Sequence, residues 1–164
     1  MTITQQSKNP EICDNTEFNL GNFFPYLVRI YYRAVSTAVS DVYTKSYELS
    51  VSEWRTMAVL GAQKSLSASE IVARSSMDKV NVSRAIKALQ ARGFLERQTD
   101  QNDKRKIALK LTDKGNTAFR DLVAKVTKIE ESCLADLTVE EQSTLITLMG
   151  RVQNNAEKLV QTET

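Results

Sequence analysis

Apolar residues recur every three or four positions over most of this chain, and every second position in one short stretch. The helical period begins at Leu20. Phe23, Leu27, Ile30, Ala34 and Ala38 follow at spacings of three and four, and Tyr31, Val35 and Val42 widen the stripe. Asn22 is placed to cap a start near Phe23, which puts Pro25 in the first turn, where its missing N–H costs little. An earlier start would make Pro25 bend the helix. The pattern predicts a first helix to about Tyr47. Residues 1–17 have no periodicity and are expected to form a mobile tail.

Three capping boxes then punctuate the chain: Ser50 with Glu53, Ser67 with Glu70, and Thr138 with Glu141. The first opens a helix through Trp54, Met57, Ala58 and Val59, with Gly61 as its expected stop. The second opens SASEIVARSS, with Ile71, Val72 and Ala68 as its candidate core face. Met77-Asp78 breaks that pattern, and Asp78 is placed to cap KVNVSRAIKALQAR. Val82, Ile86 and Leu89 should face inward there, leaving Lys79, Asn81, Ser83, Arg84 and Lys87 outward. Gly93 fits the left-handed position after a helix end.

Two strand-like runs follow, Phe94–Gln98 and Lys106–Leu111. In the second, Ile107, Leu109 and Leu111 alternate with Lys106, Ala108 and Lys110. The connection from Thr99 to Arg105 is polar and long for a tight hairpin, so it is expected to form an exposed wing. Helix, turn, helix and hairpin make a winged helix-turn-helix, a DNA-reading device. Thr112 caps the next helix, whose Phe119, Leu122, Val126, Ile129 and Cys133 run three, four, three, four. The last helix repeats that rhythm with Leu145, Leu148, Val152 and Leu159. Asn155 takes a seam position, and Ile146 and Met149 widen the face.

The expected fold class is therefore mainly α with a small β-wing. Residues 48–112 form the winged helix-turn-helix, and residues 18–47 and 113–164 supply dimerisation helices. Long amphipathic helices at both ends are best covered by a second copy of the chain. The plain alternative is that they fold back on their own domain.

Composition narrows the functions open to such a chain. With 41% hydrophobic and 26% charged residues it has the balance of a soluble globular protein. No apolar run approaches a membrane span. The polar start MTITQQSKNP has no secretory h-region, so a cytoplasmic protein without a membrane partner is expected. Histidine is absent, which removes His-based general bases, triads and metal ligands together. There is no glycine-rich phosphate loop or nucleophile elbow, so neither an enzyme nor a cofactor or metal site is expected. Net charge is only +2, but Arg74 to Lys110 holds ten Lys or Arg against four Asp or Glu. A basic centre on an otherwise acidic chain suits a localised polyanion site. A merely solvated charged face is the bland alternative.

At SASEIVARSSMDKVNVSRAIKALQARGFLER and DQNDKRKIALKLTDKG the chain resembles the MarR family of bacterial transcription regulators, and the resemblance extends over about residues 20–160. The family's wing pattern corresponds to Asp100, Asp103 and Arg105, followed by Leu111-Thr112 and Gly115. Many relatives carry Arg where this chain has Asn102, which puts one wing contact in doubt. The resemblance implies a homodimer joined through its terminal helices. It also implies a repressor that leaves a palindromic operator when a small aromatic or phenolic ligand binds. PYLVRIYYRAV, SVSEWRTMAVL and SSMDKVNVSRAIKAL further resemble the branch that controls hydroxycinnamate breakdown, whose effectors are hydroxycinnamates or their CoA thioesters.

Residue roles follow from that frame. Asn81, Ser83 and Arg84 are candidates for base edges, with Arg84 suited to guanine and Asn81 to adenine. Lys79 and Lys87 suit phosphates. Arg105 is expected in the minor groove, with Lys104 and Lys106 beside it on phosphates. The resemblance makes Asp103 the support that holds Arg105. Each of these could instead be a solvated surface charge. For the effector, Phe23, Tyr26, Ile30, Trp54 and Met57 offer an apolar, largely aromatic wall. Arg29 and Arg33, one turn apart, offer cations for a carboxylate or phosphate. The competing reading makes Phe23, Trp54 and Met57 ordinary core. Two other functions remain open: a thiol- or peroxide-sensing repressor using Cys13, and a helical adaptor that binds no DNA. The acidic setting Glu11-Ile12-Cys13-Asp14 disfavours a thiolate.

Overall fold

The computed structural model describes residues 18–63, 65–99 and 107–162. The chain divides into two compact units, Met1–Ser36 and Thr37–Thr164. In the described part of the first, the Asn19 side chain accepts a hydrogen bond from the Gly21 N–H at 2.8 Å and caps a 3-10 turn, Leu20–Asn22. Helix α1 (Phe24–Tyr47) follows, so Asn22 ends the preceding turn rather than capping the helix. Pro25 is the second residue of α1, inside the turn whose N–H groups have no helical acceptor.

The second unit contains the last turns of α1, then α2 (Val51–Gly61), α3 (Ala68–Ser75) and α4 (Lys79–Ala91). After these come β1 (Leu95–Thr99), β2 (Ile107–Leu111), α5 (Asp113–Cys133) and α6 (Val139–Thr162). All three capping boxes form. Glu53, Glu70 and Glu141 each accept from the cap residue's N–H at 2.7–2.8 Å, and the cap hydroxyl accepts from the third helical N–H.

The core gathers Tyr43 from α1, Met57 and Leu60 from α2, Ile71 from α3, and Val82, Ile86 and Leu89 from α4. Leu95, Leu109 and Leu111 come from the strands, and Leu122 from α5. Trp54 is half-buried among aromatic rings. Its ring centroid lies 5.8 Å from that of Tyr43 and 6.3 Å from that of Phe119, near parallel to both. Helix α2 stops at Gly61 as expected, but not through a left-handed glycine. Gly61 is the last residue of α2, Ala62 caps the helix with ordinary right-handed angles, and a Cβ on Gly61 would lie 2.3 Å from the Phe119 ring. Glycine is there to admit Phe119. Ala68 is exposed rather than part of the α3 core face.

The strands pair antiparallel, with Leu95 opposite Leu111 and Thr99 opposite Ile107. The sequence pattern missed a third partner: Leu66 exchanges both backbone hydrogen bonds with Leu109, at 3.0 and 2.8 Å. This ties the loop before α3 to the hairpin. Burial then fades along α5. Ala118 and Leu122 are buried, Val126 and Ile129 are half-buried, and Cys133 is exposed in the single chain, although its seam position predicted packing. In α6 only Leu145 of the predicted seam is half-buried. Leu148, Val152 and Leu159 are exposed, as are Ile146 and Met149.

Candidate nucleic-acid interface

The positions of α4 follow from its two ends. Asp78 takes extended angles, and its carboxylate accepts from the Asn81 N–H at 2.8 Å, satisfying a donor that the helix cannot. Just before it, Ser76 closes α3 with a left-handed φ of 52° and turns the chain between the two helices. At the far end, Gly93 has φ 72°. The Gly93 N–H donates to the Gln90 carbonyl at 3.0 Å and the Phe94 N–H to the Leu89 carbonyl at 2.9 Å, the paired bonds of a Schellman ending.

The strands and α5 are locked to this same point. The Thr112 hydroxyl donates to the Gly93 carbonyl at 2.7 Å and accepts from the Gly115 N–H at 3.0 Å. Gly115 approaches so closely that a Cβ there would lie 2.0 Å from the Phe94 carbonyl oxygen. The Leu-Thr-x-x-Gly pattern thus has a steric reason: only glycine lets α5 start against the first strand. Arg92 donates to the Tyr47 and Glu48 carbonyls at the end of α1, and its guanidinium lies 5.1 Å from the Phe94 ring centroid.

Between these anchors, Val82, Ala85, Ile86 and Leu89 are buried. Lys79, Asn81, Ser83, Arg84 and Lys87 are exposed, so all five predicted contact residues share the solvent side of one helix. They divide into two flanks. Lys79, Ser83 and Lys87 line a cavity of about 570 Å³, whose other walls are Ala68, Ser69 and Val72 of α3 and Arg97 and Leu109 of the hairpin. Asn81 lies across the helix, and its side-chain amide donates to Asp78 at 2.7 Å. An adenine contact by Asn81 would therefore have to replace this bond. The Asn81 N–H holds the Asp78 carboxyl below its ordinary value, and the Asn81 amide, the Val80 N–H and the charge of Arg84 add to the effect.

The first turns of α2, α3, α5 and α6 each contain an acidic residue, which suits the positive end of a helix dipole. The first turn of α4, like that of α1, has none; it begins with Lys79, directly after the Asp78 cap. Local helix stability argues against that choice, whereas proximity to a polyanion favours it.

Not every member of the basic centre is available. Lys110 pairs with Glu96 across the hairpin at 3.0 Å, and Arg92 is engaged by the end of α1. Asp100, Asp103, Lys104, Arg105 and Lys106 lie outside the described residues, as does Cys13.

The candidate effector residues fall in both units. In the first, Tyr26, Arg29, Ile30 and Arg33 lie along one side of α1 by helical spacing, and Tyr26 is half-buried while Arg29, Ile30 and Arg33 are exposed. Phe23 precedes the helix and is exposed, so it is not core. In the second, Met57 is completely buried in the core, which leaves it no surface for a ligand, and Trp54 packs with Tyr43 and Phe119. Core packing accounts for both. Among the described residues, no group of His, Cys, Asp or Glu is arranged to hold a metal, and no helix is long and apolar enough to cross a membrane.

A model of the MarR family matches residues 47–106, from the last residue of α1 to the residue before β2. The HTH-type transcriptional regulator PecS of Dickeya dadantii (strain 3937) is 28% identical over 124 residues, which is 74% of each chain. Among solved structures, a MarR/EmrR family transcriptional regulator from Acinetobacter sp. ADP1 superimposes with a TM-score of 0.78 at 23% identity, covering 86% of this chain and 99% of that one. BpsR of Bordetella bronchiseptica, solved to explain regulation of its DNA binding by 6-hydroxynicotinic acid, gives 0.75 at 21% identity, covering 84% and 98%. The fold is that of MarR-type winged-helix proteins, and these relatives are transcriptional regulators rather than enzymes.

Proposed function

We propose that this chain, matched to the MarR family over its winged-helix region, is a cytoplasmic, ligand-responsive transcriptional repressor that binds a palindromic operator as a homodimer. The single observation that carries the DNA part is the design of α4. Its inward residues are fully used by the core, its outward side holds Lys79, Ser83, Arg84 and Lys87, and its first turn lacks the acidic residue that its neighbours have. The helix lies in the major groove. Arg84 and Ser83 meet base edges, Lys79 and Lys87 meet phosphates, and Arg105 reaches the minor groove from the wing. Residues 48–112 form the reading domain. Residues 18–47 and 113–164 supply the dimer contacts, which places two such helices about one DNA turn apart.

The effector is a small aromatic or phenolic acid, with a hydroxycinnamate or its CoA thioester as the specific candidate, and the regulated genes serve aromatic catabolism. Arg29 and Arg33, exposed one turn apart, supply the cations for a carboxylate, with Tyr26 and Ile30 beside them. The relative BpsR responds to 6-hydroxynicotinic acid, itself an aromatic carboxylic acid. Such a ligand releases DNA only by binding better to the arrangement of the dimer that does not fit the operator.

The test is fluorescence anisotropy with DNA from upstream of the chain's own gene, repeated from 50 to 200 mM salt, then with hydroxycinnamates and their CoA thioesters added. A dimer with roughly 6–10 phosphate contacts loses about 10³–10⁵ in affinity over that range. A flat salt response would overturn the DNA reading. Salt-dependent binding that none of these compounds releases, with no heat of binding by calorimetry, would overturn the effector reading and leave the DNA reading standing.

A further inference from the structure

We infer that Val80 reads a thymine in each half-site by packing against its C5 methyl group, an inference that rests on the proposed placement of α4 in the major groove. Between Leu49 and Leu122, Val51 and Val80 are the described large apolar side chains that are exposed, and Val80 is the more exposed, at 57% against 42%. The buried residues Val82, Ala85, Ile86 and Leu89 define the inward side of α4, and at about 100° per residue Val80 falls opposite them. It is the middle of the outward face, flanked by Arg84 one turn on and Lys87 two turns on.

Nothing in the fold asks for valine there. A β-branched residue forms helix less readily than alanine or a straight polar chain. The cavity beside α4 takes Lys79, Val82, Ser83, Ile86 and Lys87 in its lining and passes over Val80. An apolar side chain held out at the centre of a basic face is placed to meet whatever apolar group the DNA presents there. The thymine methyl is the apolar group that the major groove offers, and no other base displays it.

The geometry also sets where that thymine lies. Residues four apart on a helix present their Cβ atoms about 6 Å apart, and successive bases on a strand rise about 3.4 Å. The thymine therefore lies within one or two base pairs of the guanine that Arg84 contacts. Polar neighbours set the register, and Val80 adds a choice that hydrogen bonds from Arg84 do not make.

The experiment selects the best operator from randomised duplex DNA with the full-length protein. Each thymine is then replaced by deoxyuridine, which removes only the methyl. Wild type should lose about four-fold in affinity, the worth of one buried methyl-sized group, at one thymine per half-site. That thymine should lie one or two base pairs from a guanine whose replacement by 7-deazaguanine is also felt. Val80→Ala, a better helix former, should keep its helix content by circular dichroism and bind the thymine and deoxyuridine operators equally. If wild type binds the selected DNA but senses no thymine methyl, or if Val80→Ala senses it undiminished, the inference is overturned while the DNA reading stands. Failure to enrich any sequence would overturn both.

Discussion

Helices α4 and α6 carry the same kind of sequence pattern and meet opposite fates. In α4 the apolar positions other than Val80 are closed off by the chain itself, down to 0% exposure at Leu89. In α6 the matching positions stay open, up to 71% at Leu159. Amphipathic spacing tells that a helix has an apolar face, but it does not tell what covers the face. In α4 the cover is α2, α3 and the hairpin, which sequence proximity and short connections bring together. For α6 the proposed cover is another molecule. The contrast extends to the polar side: the first turn of α4 opens on Lys79 behind the Asp78 cap, whereas that of α6 holds Glu140 and Glu141. One helix has its apolar side finished inside the chain and a basic side left to solvent. The other obeys ordinary local rules and leaves its apolar face exposed.

The largest expected effect breaks this contrast on the α6 side. Leu148→Glu combined with Val152→Glu should leave the winged helix folded but yield monomers in sedimentation. Operator affinity should fall by about 10²–10⁴, since each half-site then binds without its linked twin. A double variant that remains dimeric would move the interface away from α6. On the α4 side, Leu89→Ala should cost about 2–5 kcal/mol of stability, because the cavity it leaves cannot collapse within a packed core. Chemical denaturation would show the loss, and a change under about 1 kcal/mol would mean that the α4 interior is less tightly packed than its burial implies.

The outward face of α4 should respond without such structural loss. Arg84→Ala should weaken operator binding by about 1–3 kcal/mol and relax base preference at one position, with an unchanged melting temperature. A uniform loss across sequences would instead make Arg84 a phosphate contact. The smallest effect concerns the helix start. The folded-state pKa of Asp78 is depressed, so the stability it lends is complete above its ordinary value of 3.8 and is lost as pH falls through the folded value. Asp78→Asn keeps a capping oxygen without the charge and should flatten the acid limb of a pH–stability curve in that window. An unchanged limb would show that the carboxylate charge adds nothing beyond the cap.

Most of the fold was legible along the chain because its cues are local. Capping boxes at Ser50, Ser67 and Thr138, the cap at Asp78 and the left-handed glycine at Gly93 each solve a hydrogen-bonding problem within a few residues. Such solutions leave the same mark in any context. The five outward residues of α4 were legible for the same reason, since helical spacing alone separates them from Val82, Ile86 and Leu89. Val80 is not legible in this way, because an apolar residue in an apolar-patterned helix looks like core until the inward side is known. Arg92 belongs to the basic centre by charge, which sequence displays, while the Tyr47 and Glu48 carbonyls that engage it lie more than forty positions away.

The chain by itself therefore determined which segments are helices and strands, where most of them start and stop, and which side of α4 meets solvent. Those properties depend on backbone hydrogen bonding and side-chain period within a single turn or strand. Only the tertiary structure decided that Gly61 makes room for Phe119 and that Gly115 lets α5 begin against the Phe94 carbonyl. The same holds for Leu66 bonding to the second strand and for Met57 being core. Each of those is a contact between segments far apart in the chain, and steric fit between distant segments has no period for a sequence pattern to show.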